Sequence, residues 1–197
     1  MKKGEKIVLG SGYLYVTKFT GTVPDVKTIC VEENRLAYIQ GGASVEYTPT
    51  FYEAKDDLGY ATKTLLTDES VVMKSGIMTW YGETLAKLCS TARVTTDETT
   101  RTVKIGGLGN YNDDKYVICF HHPDKTDGNM WLLIVGQNQS GFTLAFAKDK
   151  ETVIDAEFKA AASIDAEGTL IQYVEEIKSD AKNQATQAAK GTKAVEN

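Results

Sequence analysis

The chain predicts a mainly β fold, an antiparallel β-sandwich or barrel with one short flanking α-helix. Three observations carry this reading. Runs of β-branched and aromatic residues alternate with period two, clusters of Gly, Asn and Asp separate them, and a single stretch has helical periodicity.

Taken in order, the first run is YLYVTKF, where Tyr13, Tyr15, Thr17 and Phe19 share one face and Leu14, Val16 and Lys18 the other. ASVEYT repeats the pattern, with Ala43, Val45 and Tyr47 opposed to Ser44, Glu46 and Thr48. FYEAKDDLGYATKTLLTDES, from Phe51 to Ser70, breaks it: aromatics are scattered among charges with no core face, and DDLG at 56–59 supplies a turn. In ETLAKLCSTA, Leu85, Leu88, Cys89 and Ala92 recur at helical spacing with Glu83 in the first turn, which predicts a helix near 83–92 packed on a sheet. RTVKI, KYVICFHH, MWLLIVG, FTLAFA, TVIDAEFKA and TLIQYVEE follow as strands. The turn-rich spacers GGLGNYNDDK, PDKTDGN and QNQSG suit antiparallel neighbours rather than long crossovers. The expected organisation is one domain over 1–176 with an extended arm at about 51–66, then a flexible C-terminal tail over 177–197, where large apolar side chains are nearly absent.

Charge and cysteine usage exclude several classes. The net charge is −5, and the tail is mildly basic, so the body is more acidic than the whole. Only Arg35, Arg93 and Arg101 supply guanidinium groups, which argues against ordinary nucleic-acid binding. The longest apolar run, MWLLIV, is far short of the roughly 20 residues of a membrane-spanning helix, and MKKGEK leads into no signal-peptide core. Cys30, Cys89 and Cys119 are odd in number and never in CxxC spacing, so a disulfide framework and a zinc site are both unexpected and a reducing cytoplasm is the expected place of synthesis.

No segment spells out catalysis. His121 and His122 are adjacent on a strand and point to opposite faces, so they do not chelate one ion together. GGLGN lacks both the third glycine and the following helix of a dinucleotide loop, and the pairs Asp56-Asp57 and Asp113-Asp114 lack calcium-loop spacing. No catalytic residue, metal or cofactor is expected. TVIDAEFKA is more informative: Val153, Asp155, Glu157 and Lys159 share a wetted face and Ile154, Ala156, Phe158 and Ala160 a buried one.

The segments RLAYIQGGASVEYTPTFYEAKDDLG, ESVVMKSGIMTWYGETLAKLCSTARV, RTVKIGGLGNYNDDKYVICFHH and GFTLAFAKDKETVIDAEFKA, in this order, resemble the major tail proteins, or tail tube proteins, of long-tailed phages of Gram-positive bacteria. The likeness spans about residues 7 to 175 and has no catalytic signature. It implies a tube of stacked homo-hexamer rings, made in the bacterial host cytoplasm and placed in the virion tail. The tube houses the tape-measure protein, meets tail terminator and distal tail proteins, and conducts DNA without binding it specifically. On this resemblance the arm, with Phe51, Tyr52, Leu58, Tyr60, Leu65 and Leu66, reaches the neighbouring ring, and Glu46, Asp155 and Glu157 are lumen candidates. No membrane anchor or enzymatic activity is implied. The inner tube of a contractile tail or tailocin is a close alternative; a monomeric carbohydrate-binding module with Tyr52, Tyr60 and Tyr111 as a platform is one of another class. A hydrolase built on scattered carboxylates has the least support.

Overall fold

The computed structural model describes residues 8–60 and 62–177, so the expected C-terminal tail lies, apart from Ile177, outside the described residues. The strands are β1 (Tyr13–Lys18), β2 (Arg35–Ala37), β3 (Ile39–Lys55), β4 (Thr62–Ile77), β5 (Arg93–Thr96), β6 (Arg101–Lys104), β7 (Tyr116–His122), β8 (Met130–Asn138), β9 (Ile154–Ala162) and β10 (Ile171–Glu175). Among the described residues two short helices, α1 (Val26–Ile29) and α2 (Gly82–Lys87), accompany them. Every strand pairing among these residues is antiparallel. The mainly β class is therefore the observed one.

The main sheet runs β2-β1-β7-β8-β9-β4-β3, with β10 also on β8. β8 has two partners on one side: Met130 to Ile134 pair with β10, and Val135 to Asn138 pair with β9. The sheet forks there. Beyond the fork, β9 and β4 fold back so that Met73, Ile77, Ile154 and Phe158 pack with Leu14, Val16, Ile118 and Ile134, with Leu88 at the end of α2 in the same core. Tyr15, Val117, Cys119, Leu133 and Val135 form a second core with Ile29 of α1. β1, β7 and β8 are thus buried on both faces, which is why KYVICF and MWLLIV read as continuous apolar runs.

Three expectations are corrected. The helix covers Gly82–Lys87 rather than 83–92, because the Leu88 N–H is shared between the Thr84 and Leu85 carbonyls and the last turn tightens before Ser90 and Thr91. Leu88 still reaches the core, so the apolar spacing is informative while the length is not. FTLAFA is not a strand: Phe142 and Leu144 pack on the first core, yet the segment joins no sheet. Alternation specifies an extended chain, but a strand also needs a neighbour, and the end of β8 is already taken by β9. Asn138 holds the segment's start, its Nδ2 donating to the carbonyls of Leu88 (3.0 Å) and Gly141 (2.8 Å). Its Oδ1 accepts the Glu157 N–H at 3.1 Å, so this one buried amide ties α2, the 139–141 turn and β9 together. Finally, α1 is a second helix, capped by the Asp25 carboxylate, which accepts the Lys27 N–H at 2.9 Å.

Among the described residues no helix is long and apolar enough to cross a membrane.

Candidate assembly surfaces

The segment from Phe51 to Ser70 is not a loop. β3 and β4 continue through it as a paired hairpin, with Tyr52 opposite Leu65 and Lys55 opposite Thr62. β9 supports β4 only from Ile77 to Val72. Past that point, among the described residues, no third strand pairs with either one, and Thr48 to Lys55 amount to about 25 Å of extended chain at roughly 3.4 Å per residue. The turn closes where the Gly59 N–H donates to the Asp56 carbonyl at 3.0 Å, with Gly59 at φ +74°, a conformation favoured by glycine.

Every arm residue predicted as a contact is exposed: Phe51, Tyr52, Leu58, Tyr60, Leu65 and Leu66. The register sorts them. Phe51 faces Leu66 on one side of the hairpin, and Tyr52 faces Leu65 on the other, so each side carries one apolar cross-strand pair. A two-stranded hairpin with no third layer is marginal in water, and such pairs add only about 0.2–1 kcal/mol each. At its base the Tyr47 hydroxyl donates to Glu69 Oε1 at 2.6 Å; this bond to a carboxylate raises the Tyr47 pKa above the ordinary phenol value.

Among the described residues β3 pairs only with β4 and terminates the sheet path, so its other side is a free edge from Ile39 to Lys55. Pro49 fits such a strand because it has no N–H to leave unpaired in a ladder. Sequence reasoning does not single out this edge, although Pro49 and the Gly41-Gly42 bulge are the signals that could find it.

The three lumen candidates do share one face. Glu46 lies in register with Val72 and Val72 with Lys159, Lys74 pairs with Glu157, and Gly76 with Asp155. This face is opposite the one that buries Met73, Ile154, Ala156 and Phe158. It is mixed rather than purely acidic, because Lys74 Nζ meets Glu157 Oε1 at 3.4 Å and Lys159 stands beside them. A shallow open depression of about 440 Å³ runs over it, lined by Gln40, Ser44, Lys74, Asp155 and Glu157 among others.

Neither protein-family models nor curated proteins give a match to this chain.

The remaining residues of chemical interest are dispersed. His122 Nδ1 donates to the Ser11 carbonyl at 2.8 Å, while His121 stacks on Trp131 with ring centroids 5.2 Å apart. Burial pushes the His121 pKa down, so its ring favours the neutral form. Tyr52 and Tyr60 are on the arm, whereas Tyr111 lies in the loop before β7, its hydroxyl donating to Asp113 at 2.8 Å. Gly106 and Gly107 both have positive φ and lead into a single turn, Leu108–Asn110, rather than a helix that could meet a phosphate.

Proposed function

We propose that this chain is the tube-forming subunit of a phage or prophage tail, a structural protein with a mechanical role. The observation that carries the reading is the unsupported β3–β4 hairpin, which presents an apolar pair on each side and has a free strand edge at its root. A chain that keeps large apolar groups on a hairpin without a core is built to complete that core on a neighbour. A free edge can add backbone hydrogen bonds to the next subunit, and closing a ring of subunits removes the exposed edge. The resemblance to major tail proteins adds the partners: further copies in stacked hexamer rings, the tape-measure protein within, and terminator and distal proteins at the ends. The site of action is then the virion tail. Negative-stain electron microscopy of the purified protein at high concentration is expected to show rings or tubes. A strictly monomeric protein under these conditions overturns the proposal.

In this reading the face with Glu46, Asp155 and Glu157 lines the channel, where a slight excess of carboxylates over Lys74 and Lys159 disfavours sticking of a polyanion. Asp155→Lys combined with Glu157→Lys makes that face strongly cationic. The Lys74–Glu157 pair is about half exposed, so losing it costs no more than about 1 kcal/mol and assembly persists. Particles with both substitutions are expected to form normal tails yet deliver DNA poorly. Unchanged infectivity assigns the channel to another face.

A further inference from the structure

Two thiols that are 89 positions apart in the chain meet beneath α1, with Cys30 Sγ and Cys119 Sγ 3.7 Å apart. Cys119 is fully buried in the middle of β7, between the pairing of β7 with β1 and with β8. Cys30 caps the C-terminal end of α1, its N–H donating to the Val26 carbonyl at 2.9 Å, and is only partly buried. Spacing in the sequence indicates no pairing in this odd set of cysteines; the fold supplies one and leaves Cys89 apart.

We propose that Cys30 and Cys119 form an intramolecular disulfide when the chain meets a peroxide-class oxidant, a staple that locks α1 onto the central sheet. The Cys30 thiolate attacks one oxygen of hydrogen peroxide and breaks the O–O bond, giving a sulfenic acid and, after proton uptake, water. Cys119 sulfur then attacks the Cys30 sulfur, its proton leaves with the departing hydroxide as a second water, and the S–S bond forms. Two thiols lose two electrons, and peroxide gains them.

Geometry assigns the order of these events. Cys30 is the less buried of the two residues, whereas Cys119 is fully enclosed. The hydrogen-bonding contact between the two thiols is the main cause that pulls the Cys30 pKa down, and the same contact together with burial pushes the Cys119 thiol up. The first thiolate therefore forms on the less buried residue, as an attacking thiol requires. A disulfide needs the sulfurs at about 2.05 Å, so each must move by roughly an ångström. The end of a four-residue helix can yield that much more readily than the middle of β7, which is hydrogen-bonded on both sides. The product closes a long chain loop and so restricts the unfolded ensemble.

The disulfide does not depend on tube formation, and its test does not use assembly. The full-length protein is treated with hydrogen peroxide under native conditions, then alkylated in denaturant without reductant and digested with trypsin. The expected product is a cross-linked pair of peptides spanning 28–35 and 116–125, lighter than the sum of the two reduced peptides by two hydrogen atoms and released by dithiothreitol. The oxidised monomer is expected to melt higher by on the order of 10 °C, reversibly with reductant. Cys30→Ser is expected to lose both the cross-link and the shift, and Cys89→Ser to keep both. The proposal is overturned if all three thiols are alkylated after peroxide, if Cys30 ends as a sulfinic or sulfonic acid without the cross-link, or if the only disulfide is intermolecular through Cys89. Because the cross-link is mapped on the unsubstituted chain, poor folding of a variant leaves that result intact.

Discussion

A subunit lacking residues 49–69, with Thr48 joined to Ser70 through Asn-Gly, will fold normally and will not grow long tubes. Thr48 and Ser70 are directly paired across the hairpin, so a two-residue turn can connect them without changing the register below. None of the removed residues belongs to either core, whose contribution from β4 begins at Val71. The melting temperature of the monomer should therefore change little, since the stability lost with an isolated hairpin is small. The effect on assembly is expected to be nearly complete, because Phe51, Leu66, Tyr52 and Leu65 all leave together. Electron microscopy of the shortened protein checks this. Tubes of normal length from a correctly folded variant would remove the arm from the assembly interface. Splitting the arm by face refines the result: Phe51→Ser with Leu66→Ser and, separately, Tyr52→Ser with Leu65→Ser report whether one or both sides of the hairpin are buried in the tube.

The arm also shows what a sequence can and cannot convey. Period two marks a strand only when one side is dry and the other wet. β9 satisfies that condition, and its alternation separates Asp155, Glu157 and Lys159 from the buried Ile154, Ala156 and Phe158. Thr62 to Glu69 do not satisfy it, because both faces are wet, and the strand there is held by its backbone partner alone. β5 and β6 are similar, a separate two-stranded sheet in which only the β6 half is legible as a strand. At the opposite extreme, β7 and β8 are dry on both faces, and their apolar runs identify them without revealing which side meets which core. The four residues of α1 are fewer than two helical turns, too short for any periodicity. Of the candidate surfaces, the shared face of Glu46 and Asp155 is not legible from either strand by itself, since β3 and β9 meet through β4, and nothing local announces that arrangement.

Gly136→Val should rank among the most damaging single substitutions in the body. Gly136 is on β8 at the register shift where the strand has passed from β10 to β9. A Cβ at this position would lie 2.0 Å from the Lys159 carbonyl oxygen and 2.7 Å from its carbon. These are backbone atoms of the partner strand, so no rotamer change relieves the contact. Relief requires β9 to move off β8, and that opens the junction that brings Phe158, Ile154 and β4 over the central strands. Overpacking usually costs about 1–3 kcal/mol, and a clash with paired backbone should reach or exceed the upper end. Phe158→Ala, which empties the same layer without disturbing the pairing, should cost about 3–5 kcal/mol. Against a total stability of roughly 5–15 kcal/mol, either change is severe. Gly59→Ala at the tip of the arm is the contrast: its Cβ meets nothing within 4 Å, and the penalty is confined to the positive φ, about 1–2 kcal/mol within an exposed turn. Urea unfolding of the three variants measures the order directly. A Gly136→Val protein as stable as the parent would mean that β9 leaves β8 without loss, and the fork would then not be what holds the two halves of the sandwich together.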